Sequence, residues 1–199
     1  MTVAVVVGLV GSGAFAYFND TETSTGNTFT AGTIDISVNA QNPWTETFTS
    51  VLTNLKPCQT VYITTVVKNE GSLPLELWKH IEVVECTGGI AVYPVGAPVA
   101  SSEPEYVEGG GAGYVEKCNI DTVIDYSLTI DGVVIIAQGA ETLATMHCKW
   151  QKIATLAPGA SVTVVQDYHM KAATTNWAQG DTCKFDITYY AEQVGGLGK

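Results

Sequence analysis

The chain has 199 residues and a formal net charge of -11, and all nine of its basic residues are lysine. Lacking the planar guanidinium fork that grips phosphates and carboxylates, and acidic overall, it is unsuited to nucleic acid or anionic substrates. A chain of this length buries a core without a structural metal.

The first element is an apolar run over residues 2–10. Val3, Val5, Val7 and Leu9 fall on one face of an extended strand, with Ala4, Val6, Gly8 and Val10 on the other. Two apolar faces fit a strand covered on both sides, and four such side chains contribute roughly 1.5–3 kcal/mol each before ordering costs. The same run, followed by Ala14-Phe15-Ala16, also fits the core and cleavage site of an export signal, although no Lys or Arg precedes it. Cleavage after Ala16 would move the start of the strand to Tyr17 and Phe18. Asn19-Asp20-Thr21 is a candidate N-glycosylation sequon. The apolar stretch, broken by Gly8, Gly11, Ser12 and Gly13, is marginal for a membrane span, so no stable span is expected in the mature form. These features set residues 1–28 apart as an N-terminal segment and residues 29–199 as one body.

Period-two alternation follows. Phe29, Ile34, Ile36 and Val38 alternate with polar neighbours; "TVYITTVVKNEG" places Val61, Ile63 and Val67 on one face and ends in a turn at Asn69–Gly71. Such runs, rich in Val, Ile, Thr and Tyr, predict half-buried strands. "YSLTIDGVVII" predicts a hairpin turning at Asp131-Gly132, which tolerates the positive φ of a type I′ turn. "SVTVVQDYHM" and "KFDITYYAEQ" alternate again, the latter presenting Phe185, Ile187 and Tyr189 together. One short helix is predicted near "GAETLATMHCKW", where Leu143, Met146 and His147 or Trp150 share a face. Pro94, Pro98, Pro104 and the glycines at 109–111 mark an excursion at about residues 86–118. The expected fold is all-β: a jelly-roll-like sandwich with one or two short helices and an N-terminal strand available for donation.

Cys58, Cys86, Cys118, Cys148 and Cys183 never form C-x-x-C. Close pairs are what zinc and thioredoxin-like centres require, so disulfides in an oxidising compartment are expected, two bridges and one thiol, with the pairing open. His80, His147 and His169 are scattered, and no H-E-x-x-H helix, G-x-S-x-G elbow or phosphate loop occurs. Glu103, Glu105 and Glu108 lack the regular spacing of a calcium loop. No catalytic residue, cofactor or metal is expected.

The stretch "AYFNDTETSTGNTFTAGTIDISV" resembles the start of mature TasA/camelysin proteins, at Phe18, Asn19, Asp20, Phe29, Ala31, Gly32, Thr33, Ile34 and Asp35. "LKPCQTVYITTVVKNEGSLPLEL" is similar to that family's L-x-P-G turn, strand and Asn-x-Gly-Ser turn, with Cys58 where glycine is usual. "LAPGASVTVVQDYHM" and "AQGDTCKFDITYYAEQ" resemble its closing strands. The resemblance implies a jelly-roll sandwich, export, and assembly into extracellular fibres of a biofilm matrix; the Cys-bearing, Thr-rich, Arg-free sequence is similar to archaeal bundling pilus subunits. Some camelysin relatives carry a metallopeptidase label, which the missing zinc helix does not support here.

The expectation is therefore an extracellular or cell-surface filament subunit whose partner is itself, head to tail, with filaments also bundling. The N-terminal strand of one copy would fill a gap in the next. A monomeric adhesin or surface-layer domain and a secreted metallopeptidase are the rival readings.

Overall fold

A computed structural model describes residues 31–46, 55–88, 118–174, 178 and 181–196. From Gly32 onward they belong to one compact unit. The candidate donor residues Val3, Val5, Val7, Leu9, Tyr17 and Phe18, the sequon at Asn19, and Glu103, Glu105 and Glu108 lie outside the described residues.

The described strands are β1 (Ile36–Val38), β2 (Thr60–Asn69), β3 (Leu75–Thr87), β4 (Ile124–Ile130), β5 (Val133–Thr142), β6 (Lys149–Leu156), β7 (Ser161–Met170) and β8 (Thr182–Gln193). Two one-turn helices join them, α1 (Ile120–Val123) and α2 (Leu143–Met146). Five strands form one antiparallel sheet in the order β1-β2-β7-β4-β5, and three form the other, β6-β3-β8. This is the all-β sandwich that the alternation predicts.

The alternation becomes burial. Along β2, Ile63, Thr65, Val67 and Asn69 are buried while Tyr62, Thr64 and Val66 are exposed. Along β7, Val162, Val164, Gln166, Tyr168 and Met170 face inward. They meet Leu75, Leu77 and Ile81 of β3, Ile153 and Leu156 of β6, and the half-buried Phe185, Ile187 and Tyr189 of β8 in one core. The β4–β5 hairpin turns at Asp131 (φ 46°) and Gly132 (φ 81°) as its sequence predicts. Helix α2 stands where the Leu143/Met146 spacing places it, both residues buried, and Thr142 and Thr145 cap it reciprocally, but it ends after one turn, so His147 is its exposed C-cap and Trp150 lies in β6 rather than on the helix face.

Two stretches differ from the alternation pattern. Strand β1 is only three residues long, because residues 32–35 give their backbone groups to a turn rather than to a sheet: Glu70 and Gly71 N–H donate to the Asp35 carbonyl, and Ser72 N–H to that of Thr33. In β5, Val133, Val134 and Ile135 are exposed although apolar, since β5 is an edge strand with no described layer over it.

A polar belt crosses the core between the sheets. Thr65 and the Tyr189 hydroxyl are 2.6 Å apart, the Tyr168 hydroxyl donates to Gln166 Oε1 at 3.0 Å, and Lys79 Nζ donates to the Tyr126 hydroxyl at 3.1 Å. Burial pushes the Tyr126, Tyr168 and Tyr189 hydroxyls above the usual tyrosine range and holds the Lys79 ammonium well below the usual lysine range. Burial disfavours the charged form of this lysine, and the Tyr126 hydroxyl is its hydrogen-bond partner.

Candidate functional site

Three turns that carry the quoted motifs meet at one end of the sandwich, and Asn69 ties them together. Its side chain, fully buried, donates to the carbonyls of Leu73 (2.9 Å) and Leu156 (3.1 Å) and accepts from Gly71 N–H (2.9 Å). Its own backbone bonds Gly159 and Ala160. A Cβ on Gly71 would stand 2.4 Å from the Thr33 carbonyl, and one on Gly32 would meet the Leu73 side chain at 2.3 Å. "AGTID" and "NEGSL" are therefore two halves of one interlock, and glycine is needed on both sides for the backbones to approach.

A second recurrence explains the departure at Cys58. Leu55-Lys56-Pro57-Cys58 and Leu156-Ala157-Pro158-Gly159 form the same turn, closed by Gln59 N–H to Lys56 O (2.9 Å) and Ala160 N–H to Ala157 O (3.0 Å). Proline sits second and a left-handed residue third, φ 65° at Cys58 and 76° at Gly159, the type II arrangement. Cysteine occupies a glycine conformation there.

The interlock holds β1 beside one flank of the sandwich. There Ile36, Val38, Gln41, Asn42 and Trp44 face Ile187, Thr188 and Tyr189 of β8 across a cleft of about 310 Å³. Trp44 and Tyr189 ring centres are 5.8 Å apart. Strand β8 pairs only with β3, so among the described residues its outer edge faces the cleft without a strand neighbour. An edge beside a cleft of mixed polar and apolar lining offers main-chain hydrogen bonds and side-chain pockets together, which is what strand addition requires. The opposite flank, between β5 and β6, is bridged by Lys149 to Glu141 at 3.1 Å and plugged by Leu143 and Met146 of α2.

No cysteine lines the cleft. Cys86 and Cys118 form a disulfide with Cα atoms 5.5 Å apart, closing the base of the excursion. Cys58 and Cys148 are exposed thiols and Cys183 a half-buried one, so one of the two expected bridges is present. The histidines do not converge on a common centre. His80 stacks on Trp150 at 4.7 Å, His169 Nδ1 bonds Thr60 at 2.8 Å, and His147 Nδ1 accepts from Val83 N–H at 2.9 Å.

These features define a class: an antiparallel β-sandwich of a five-stranded and a three-stranded sheet. Residues 1–85 match the model of a family described as Camelysin metallo-endopeptidase. The TasA/camelysin resemblance thus holds over that part of the chain, which contains both halves of the glycine interlock and carries no indication of an archaeal source. No curated protein matches the chain. The family's description implies a metal. Among the described residues no three of His, Cys, Asp and Glu come together as ligands, so the described residues do not fit one and no hydrolytic step follows from them. No described helix is long and apolar enough to cross a membrane.

Sequence reasoning found the β8 face and the turn at Asn69–Gly71 but missed the buried side-chain role of Asn69 and the burial of Lys79. The signal for Asn69 was present, since a strand-ending Asn two residues before Gly is an Asx-turn pattern. Nothing in the run "LELWKHIEVV" marks Lys79 as interior except its parity with Leu75, Leu77 and Ile81.

Proposed function

We propose that the chain is a structural subunit of an extracellular filament, joined when the N-terminal segment of one copy lies along the outer edge of β8 in the next. The observation that supports this reading is the juxtaposition of that edge with the Ile36–Trp44 cleft. The donor would be the run bearing Val3, Val5, Val7 and Leu9, or a strand starting at Tyr17 and Phe18 if cleavage follows Ala16; residues 1–28 act as connector and residues 29–199 as body. The pairing extends the three-stranded sheet by one strand and covers the edge. Because donor and acceptor are different surfaces, the contact is head to tail and propagates as an open filament. The partner is a second copy, and the exposed Val133, Val134 and Ile135 at the hairpin tip are the surface through which filaments would bundle.

The test is the double variant Val5→Asp, Val7→Asp alongside a deletion of residues 1–16, each imaged by negative-stain electron microscopy. Fibres lost in both variants identify the first run as donor. Fibres retained by both place the donor at Tyr17. Only isolated particles in the unaltered protein would defeat the filament reading in favour of a monomeric surface domain.

A further inference from the structure

Cys86 lies within bridging range of two cysteines. Its observed partner is Cys118, with Cα atoms 5.5 Å apart. Directly across the β3–β8 ladder stands Cys183, in continuous register from Glu85↔Lys184 through Cys86↔Cys183 to Thr87↔Thr182. Facing residues of an antiparallel pair have Cα atoms about 4.5 or 5.5 Å apart, and both distances fall inside the range a disulfide spans. Opposed residues also project to the same side of the sheet, and both Cys86 and Cys183 are half-buried. Cys118 belongs to the same group, its Sγ lying 3.8 Å from the carbonyl of Thr182, the residue before Cys183. Three sulfurs therefore gather where the three-stranded sheet ends, and one of them is a thiol.

We infer that Cys183 is a resolving thiol for the Cys86–Cys118 bridge, able to exchange it for a strand-to-strand bridge between Cys86 and Cys183. In the exchange, the Cys183 thiolate attacks Cys86 Sγ, the Cys86–Cys118 bond breaks as the new S–S bond forms, and Cys118 leaves as a thiolate. Cys118 takes up the proton that Cys183 released. No electrons are gained or lost overall, so no external oxidant or reductant is consumed. Burial, with the Asp121 carboxylate adding to it, pushes the Cys183 thiol up to about 11, which keeps the attacking thiolate scarce and the exchange slow at neutral pH. The two pairings differ in what they hold. The first closes a loop across a sequence separation of 32, whereas the second staples neighbouring strands and leaves a thiol at Cys118.

The full-length chain tests this by peptide mapping without reduction, after alkylation in a glutathione redox buffer. The variant Cys118→Ser is expected to yield a Cys86–Cys183 linked peptide as its main bridged species, leaving Cys58 and Cys148 open to alkylation. Should that variant fail to fold, the unaltered protein serves: a fraction with Cys118 alkylated and Cys86 linked to Cys183 is expected, and Cys183→Ser abolishes it. Absence of the Cys86–Cys183 peptide from both proteins overturns the inference. Recovery of a Cys118–Cys183 peptide instead overturns the choice of Cys86 as the sulfur attacked.

Discussion

The two flanks of the sandwich are built from similar strands and end differently. Between β5 and β6, the Lys149–Glu141 pair spans the gap between sheets and α2 drops Leu143 and Met146 into it. The ion pair itself contributes little, on the order of 0.5 kcal/mol for exposed partners; the buried side chains of α2 do the closing. Between β1 and β8 there is no helix among the described residues, and β1 is too short to cover β8, so a cleft remains. One flank is finished by its own chain, and the other keeps an edge strand with no strand neighbour among the described residues. Edge protection in a β-sandwich is thus a local decision, made separately at each edge.

The sharpest way to break this contrast is to charge the floor of the open flank. Ile187→Asp is expected to abolish fibres seen by electron microscopy while the far-ultraviolet circular dichroism of the protein stays β-rich. Undiminished fibres would mean that the cleft is not the acceptor.

A smaller effect is expected from loosening what holds β1 in place. Asn69→Ala leaves two buried carbonyls and an amide without the side-chain partners they now have. At about 1–3 kcal/mol for each unsatisfied buried group, partly relieved by rearrangement, the loss should come to about 3 kcal/mol. The melting temperature would fall by roughly 6–12 °C for a chain of this size. A change of under 2 °C would show that the interlock does not depend on Asn69.

The third test concerns the core between the flanks. In the folded protein burial depresses the Lys79 ammonium well below its ordinary value, so between the depressed and the ordinary value the unfolded chain holds a proton that the folded chain lacks. Stability then rises with pH across the window between the depressed and the ordinary value, by at most about 1.4 kcal/mol per pH unit for one proton. Lys79→Met removes this contribution. Its melting temperature should climb less than that of the unaltered protein between pH 7 and pH 9. Equal slopes would place the charge of Lys79 in contact with solvent.

How much of this was legible beforehand follows from the range of each interaction. Strands β2, β7 and β8 were readable because alternation is local, and the Asp131-Gly132 hairpin because two adjacent residues specify it. Residues Gly32–Asp35 read as strand since Thr, Ile and Asp alternate there, yet contacts with Gly71 and Ser72, far along the chain, override that pattern. The Cys86–Cys118 pairing was equally opaque, since it depends on where β3 ends and α1 begins. Which edge of the three-stranded sheet lacks a strand neighbour among the described residues was not readable, because strand order rather than any one segment decides it.

The bridge between Cys86 and Cys118 has a practical side. It pinches the chain together at both ends of the excursion, so the sheets receive a fixed pair of anchor points whatever sequence runs between them. Doubling the length of a closed flexible loop costs only about 0.6 kcal/mol in closure entropy. A foreign peptide spliced into that interval would hang from a covalent collar, which makes the interval a natural site for displaying added sequence.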